Sequence, residues 1–317
     1  MIIVFKKHIS SEAVSKIGTQ LSKHKLRFHI FGKEGLIKVF SSHTPIKFTD
    51  SITKNPFVKK VVDSPYMLSS IHVGNKNTSS LSQMLDLKVK GPIFMAGPCS
   101  VENKSQIVLS AKLAKLSGSH VLRGGAYKPR TSPYEFQGLG VEGLKLMHLA
   151  AKKYSLLSIS EVLDPRDIEV VNEYIDILQV GTRNMYNYAL LKELGKIDKP
   201  VLLKRSMNAT YKEFLLAAEY ILSGGNKKVI LCERGIRTFI SETRFTLDIN
   251  AVLFLKKETH LPVVVDPSHA TGLASLVRGA AFASISAGAD GLLIEMHPKP
   301  ELSIRDKSQT INSKELI

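Results

Sequence analysis

The chain has 317 residues, 44% of them hydrophobic, and a formal net charge of +16. No run approaches the roughly 18 uninterrupted apolar residues of a membrane span, the Met1 start lacks a signal-peptide layout, and only Cys99 and Cys232 are present, which argues against a disulfide scaffold. A cytoplasmic protein is expected, with enough core for a barrel of about 250 residues and a small appendage. The lysines are scattered, with no long basic helix, zinc-finger spacing or aromatic stacking motif. That pattern favours anionic small molecules and compositional bias over a nucleic-acid partner.

In chain order, residues 2–5 read as a strand, and Ser10 or Ser11 can cap a helix whose Val14, Ile17 and Leu21 share a face. Leu26, Phe28 and Ile30 alternate with Arg27 and His29 in a second strand, residues 36–40 give a third, Phe48 and Ile52 are spaced for a short helix, and residues 58–62 give a last strand. The order βαββαβ is a ferredoxin-like unit. No catalytic constellation falls within it; His24, His29 and His43 lack metal-ligand spacing. The polar stretch 74–80 is the clearest linker, so the expected domains are 1–75, a linker with a barrel-bottom strand over 76–90, and 91–317.

Beyond Gly91, apolar strands alternate with helical segments. Strands are expected at 93–96, 120–123, 156–161, 177–180, 201–204, 229–232, 263–266 and 291–295, and helices at 104–117, 140–154, 165–174, 187–197, 211–223, 247–257 and 274–287, with a very short last one near 313–317. Eight strands in this alternation predict an α/β fold, a (β/α)8 TIM barrel. Each strand delivers a reactive or charged group at its C-terminal end, the face on which barrel active sites are assembled: Cys99, Arg123, Glu161, Arg183, Lys204, Glu233-Arg234, Asp266 to His269, and Glu295.

The loop Arg123-Gly124-Gly125-Ala126-Tyr127-Lys128-Pro129-Arg130-Thr131-Ser132-Pro133 gathers cations and hydroxyls between glycines and prolines. Solvated surface charge does not need such stiffening, so it reads as an anion site. Arg123, Lys128, Arg130, Thr131, Arg183, Lys204 and Arg234 could hold two phosphates and a carboxylate. Cys99, His269, Glu295 and Asp306 offer thiolate, imidazole and carboxylates suited to Mn, Fe, Co or Zn, although a lone Cys is most often a small buried hydrophobe and a lone His often caps a loop. Gly97-Pro98 sets Cys99 at the barrel mouth, whereas Cys232 lies within a strand and reads as core. His297 reads as a partner of a ligand or as a substrate contact.

Met95-Ala96-Gly97-Pro98-Cys99-Ser100-Val101-Glu102, Lys128-Pro129-Arg130-Thr131-Ser132-Pro133, Val265-Asp266-Pro267-Ser268-His269 and Ala289-Asp290-Gly291-Leu292-Leu293-Ile294-Glu295-Met296-His297-Pro298 resemble the 3-deoxy-D-arabino-heptulosonate 7-phosphate (DAHP) synthases from about residue 90 onward. The N-terminal segment resembles the ferredoxin-like regulatory domain of their type I-beta branch. The resemblance implies condensation of phosphoenolpyruvate with erythrose 4-phosphate, releasing phosphate at the entry to the shikimate pathway of aromatic amino-acid synthesis. It implies a divalent metal on Cys99, His269, Glu295 and Asp306. Arg123, Lys128, Arg183, Lys204 and Arg234, with Glu161 alongside, would hold phosphoenolpyruvate, and Arg130 and Thr131 the aldose phosphate. Lys128 would donate the proton to the aldehyde oxygen, with water on the metal as competitor. A homotetramer and inhibition by tyrosine or phenylalanine are also implied.

Ser206 and Asn208 depart from the family's glycines, and Thr182 from its usual alanine. The related 3-deoxy-manno-octulosonate 8-phosphate synthases, which take arabinose 5-phosphate, are the alternative enzyme. Their corresponding loop reads Lys-Ala-Asn-Arg, where Pro129 here fixes a shorter path to Arg130. A basic nucleic-acid-binding barrel and an inactive regulatory partner are the non-enzyme alternatives. A salt-sensitive mobility shift would favour the former, and retention of all the site residues argues against the latter.

Overall fold

The computed structural model describes residues 2–6, 10–24, 26–31, 36–40, 51–62, 69, 80–129 and 132–315. The chain divides into two compact units, Met1–Val73 and Gly74–Ile317.

In the first unit, β1 (Ile2–Phe5), α1 (Ser11–Lys23), β2 (Arg27–Phe31), β3 (Leu36–Phe40) and β4 (Val58–Val62) follow one another. The sheet order is β2-β3-β1-β4, with antiparallel pairings throughout. That is the ferredoxin-like arrangement. Ser10 is the cap, its hydroxyl accepting from the Ala13 amide at 3.2 Å. Val14, Ile17 and Leu21 lie one helical face apart and pack on Ile3, Phe5, Ile37 and Val39 of the sheet; each such side chain contributes about 1.5–3 kcal/mol by leaving water. Residues 51–53 are helical. Phe48 and the linker at 74–79 lie outside the described residues.

The second unit closes eight parallel strands into a barrel: β5 (Ile93–Gly97), β6 (Val121–Arg123), β7 (Leu157–Glu161), β8 (Ile177–Val180), β9 (Val201–Lys204), β10 (Val229–Glu233), β11 (Val263–Val265) and β12 (Gly291–Glu295). The last strand pairs the first, Glu295 standing opposite Gly97. Chemistry from the two ends of the barrel sequence is therefore brought side by side. Helices lie between strands, as the apolar periodicity predicts, although the segment at 165–174 divides into a 3-10 turn, Pro165–Asp167, and a helix, Ile168–Tyr174.

The expected strand over 86–90 does not form. Asp86 turns the chain through the left-handed region at φ 52°. The helix Leu81–Met84, capped reciprocally by Ser80 and Gln83, instead packs with Leu85, Leu87 and Val89 on the barrel's lower core, against Ile93, Met95 and Leu293. A closed barrel offers no free strand edge to pair, so the segment's apolar side chains plug its end. Cys232 belongs to this core, as its place within a strand predicts.

Candidate active site

Parallel strands alternate their side chains between barrel interior and helix layer, and two strand ends show the consequence. Lys204 and Arg234 line the mouth cavity. Their neighbours Arg205 and Glu233 pair with each other at 2.9 Å, and Arg205 also reaches Asp248 at 2.8 Å. Glu233 then accepts from the Gly235 amide, which fixes the backbone on the far side of Arg234. The outward pair thus braces the inward cations.

Strands β11, β12 and β5 supply one group of residues. The Cys99 thiol donates to Asp306 Oδ2 at 3.0 Å, across 207 positions of sequence. His269 Nε2 lies 3.3 Å from Glu295 Oε1. Cys99, Glu295 and Asp306 offer ligand atoms that all lie within 4.8 Å of one another. Cys99 is not an exposed thiol at the mouth: it is 1% accessible, because Lys128 and Asp306 cover it. Burial pushes the thiol up to about 12, and Glu295 adds to the rise. Its ionisation therefore requires nearby positive charge.

His269 sits on a five-residue helix, Pro267–Thr271, that the periodicity did not reveal; Asp266 caps it, Pro267 opens it and Gly272 closes it at φ 70°. The Asp266 carboxylate meets His269 Nδ1 at 2.7 Å and Lys204 Nζ at 2.5 Å. Burial opposes the ionisation of Asp266, yet His269 and Lys204 hold its carboxyl well below the usual carboxylate range. Burial lowers the His269 pKa, favouring the neutral ring. With Asp266 on Nδ1, Nε2 is the atom free to act as a ligand, an orientation typical of metal-bound histidine. Ser268 Oγ accepts from the Glu295 amide at 3.0 Å, and Gln309 donates to the Glu295 carboxylate.

The other group comes from β6 to β10. A cavity of about 520 Å³ is lined by Arg123, Lys128, Arg183, Lys204 and Arg234, with Glu161 among them. Arg123 bonds Glu295 at 2.9 Å and Lys128 bonds Cys99 Sγ at 3.2 Å, so these two cations stand on the boundary between the groups. Arg234 differs. It is 5% accessible, and its Nε and Nη1 have no hydrogen-bond partner among the described residues. Buried guanidinium edges without partners are costly, and Arg234 lines the cavity, where an anion would offset its charge. Glu161 approaches Gly181 so closely that a Cβ there would fall 1.8 Å from its Oε1. Burial raises the Glu161 pKa, against the opposing pull of Lys128 and Lys204.

The structure brings together every described residue among the expected site residues. Arg130 and Thr131 lie outside the described residues. His297 does not line the cavity; its ring is buried with Nε2 3.8 Å from Glu102. Of the departures from the family's usual residues, Asn208 is exposed, Ser206 is buried with its amide directed to Met185 Sδ at 3.1 Å, and Thr182 lines the cavity. Sequence reasoning set Asp266 at the end of its strand without giving it a role, and passed over Arg237 and Arg244. Arg244 binds Asp306 at 3.1 Å and Gln309 at 2.7 Å. The Asp-Pro pair three residues before His269 was the available signal for Asp266.

Residues 83–317 match the DAHP synthetase I family. A phospho-2-dehydro-3-deoxyheptonate aldolase of Thermotoga maritima is 43% identical over 98% of this chain and 93% of its own length. The crystal structure of that T. maritima activity, phospho-2-dehydro-3-deoxyheptonate aldolase (DAHP synthase), superposes with a TM-score of 0.74 at 41% identity, covering 99% of this chain and 94% of the solved one. A 2-dehydro-3-deoxyphosphooctonate aldolase of Syntrophotalea carbinolica is more distant, 26% identical over 69% of this chain and 84% of its own.

Proposed function

The chain belongs to the DAHP synthetase I family, and from that premise we infer that its barrel condenses phosphoenolpyruvate with erythrose 4-phosphate to give DAHP and inorganic phosphate, at the entry to the shikimate pathway. The observation that carries the reading is a shared wall. Lys128 Nζ touches Cys99 Sγ at 3.2 Å, so the cation-lined cavity abuts the cluster of Cys99, Glu295 and Asp306.

Phosphoenolpyruvate carries a phosphate and a carboxylate, and Arg183, Lys204 and Arg234 present fixed cations to both. Arg123 and Lys128 stand between this anion and the aldehyde. The enol carbon forms the new C–C bond to the aldehyde carbon, and the aldehyde oxygen takes a proton. Water then adds to the cationic carbon that remains, and the C–O bond to phosphate breaks. Lys128 is the proton donor. Burial opposes its charge, but Cys99, Glu161 and Glu295 raise its pKa above the ordinary value, so it is an ammonium at neutral pH. Glu161 lines the cavity among the cations and sets their spacing. Arg130 and Thr131 grip the aldose phosphate.

The donor set fits a divalent ion of the Mn, Fe, Co or Zn kind. Asp306 is held at φ 53°, a strained backbone region for a residue with a side chain, and that conformation aims its carboxylate at Cys99. Cys99, His269, Glu295 and Asp306 would hold the metal, which when bound supplies Lewis-acid polarisation of the aldehyde. The first unit regulates through tyrosine or phenylalanine, supported by its ferredoxin-like sheet order and by the absence of a metal-ligating cluster among its described residues. A cytoplasmic homotetramer completes the proposal. No helix among the described residues is long and apolar enough to cross a membrane.

The test is phosphate release from phosphoenolpyruvate with a panel of aldose phosphates, with and without chelator. Release is expected with erythrose 4-phosphate, to be lost in chelator and restored by a divalent ion. Equal or better turnover with arabinose 5-phosphate would replace the substrate. Full turnover in chelator would remove the metal.

A further inference from the structure

Arg234 presents a mechanical problem. It is nearly buried, carries no carboxylate ion pair among the described residues, and leaves Nε and Nη1 without partners. Arg205 and Lys204 are held by carboxylates at 2.9 and 2.5 Å. Something other than a counter-ion must fix the Arg234 guanidinium.

The ring of Phe245 meets it, with the guanidinium carbon 4.1 Å from the ring centroid. Phe245 lines the same cavity. Its backbone is pinned on two sides. The Phe245 amide donates to Ala270 O at 2.9 Å, on the helix that carries His269, and Thr246 exchanges both backbone bonds with Ile236, two residues beyond Arg234. A Cβ at Gly235 would meet the Phe245 Cβ at 2.8 Å, so the two backbone stretches approach as closely as glycine allows. Arg244 also approaches the ring, its guanidinium carbon 5.8 Å from the centroid, and reaches Asp306.

A guanidinium is planar, and its donors point outward within its plane. An aromatic ring over its face attracts the cation while consuming none of those donors. A carboxylate in the same place would consume them. We propose that Phe245 is a positioning residue for phosphoenolpyruvate recognition: its ring holds the Arg234 guanidinium in place at the cavity wall for an oxyanion without consuming the donors of that guanidinium. The proposal deepens the function inferred above and rests on phosphoenolpyruvate being the anion bound there.

The experiment is calorimetric titration of phosphoenolpyruvate into wild type, Phe245→Leu and Phe245→Tyr, with steady-state kinetics on the same preparations. Phe245→Leu should weaken phosphoenolpyruvate binding about tenfold and raise its KM in parallel. Its kcat and the KM for erythrose 4-phosphate should change by less than about twofold, because the ring is not asked to act in the chemical step. Phe245→Tyr keeps the aromatic face and should restore affinity to within about twofold of wild type. If the leucine variant fails to fold, Phe245→Met replaces it in the same comparison. Wild-type affinity in the aliphatic variant, or a uniform loss of kcat and both KM values, would overturn the clamp. Wild type that takes up no phosphoenolpyruvate would overturn the reading beneath it and the clamp together.

Discussion

The two arcs of the barrel mouth solve opposite electrostatic problems. Strands β11, β12 and β5 crowd acids and a thiol together, and each has a cation in contact: Arg123 with Glu295, Arg244 with Asp306, Lys128 with Cys99. Strands β7 to β10 crowd cations around a cavity and leave Arg183 and Arg234 without a carboxylate ion pair among the described residues, Arg234 also with Nε and Nη1 unpartnered. The first arc is electrostatically satisfied by the protein itself, whereas the second, under the proposed function, is completed by an anionic ligand. The difference teaches that buried charge marks a binding site most clearly where its partners are missing, and that Arg123 and Lys128, on the seam, couple the arcs.

Removing a ligand atom from the acidic arc should have the largest effect. Cys99→Ala is expected to reduce metal content and turnover by more than the about 10–100-fold that an outer-shell change costs. Phosphoenolpyruvate binding should persist. Elemental analysis beside calorimetry checks both halves, and full activity with no bound metal would break the distinction between the arcs. On the cationic arc, Arg234→Ala should weaken phosphoenolpyruvate binding about 30-fold or more while leaving metal content at the wild-type level.

Asp266→Asn probes a carboxylate that reaches into both arcs, since it touches His269 and Lys204. Metal affinity should fall about 10–100-fold, with a smaller loss of phosphoenolpyruvate affinity; a metal titration by competition with a chromophoric chelator reads the first. Unchanged metal affinity would show that Asp266 orients nothing. The smallest effect on catalysis is expected from deleting residues 1–73: turnover within about twofold of the full chain, with loss of any response to tyrosine or phenylalanine. A full-length enzyme insensitive to both amino acids would remove the regulatory assignment.

Much of this arrangement was legible in the sequence because a barrel converts chain order into position. Apolar strands of fixed spacing place Cys99, Glu161, Lys204 and Glu295 on one face whatever the loops do. What was hidden depended on side-chain direction and on contacts between loops. Nothing in Lys204-Arg205 or Glu233-Arg234 announces which member faces the cavity until the strand pleat is fixed. Cys99 follows a Gly-Pro turn and reads as exposed, but Lys128 and Asp306, far along the chain, bury it. Residues 86–90 alternate like a strand, yet the closed barrel gives them no edge to pair. Arg244 and Phe245 follow a polar loop without periodicity, and their roles arise from packing against the helix Pro267–Thr271, itself too short to leave a pattern.

The most direct test of the two-arc account is calorimetric titration of phosphoenolpyruvate into wild-type protein stripped by chelator. Saturable binding of one molecule per chain is expected, because Arg183 and Arg234 stand in the cavity whether or not the acidic arc is filled. Absence of binding until a divalent ion is restored would contradict it, and would make the two arcs a single site.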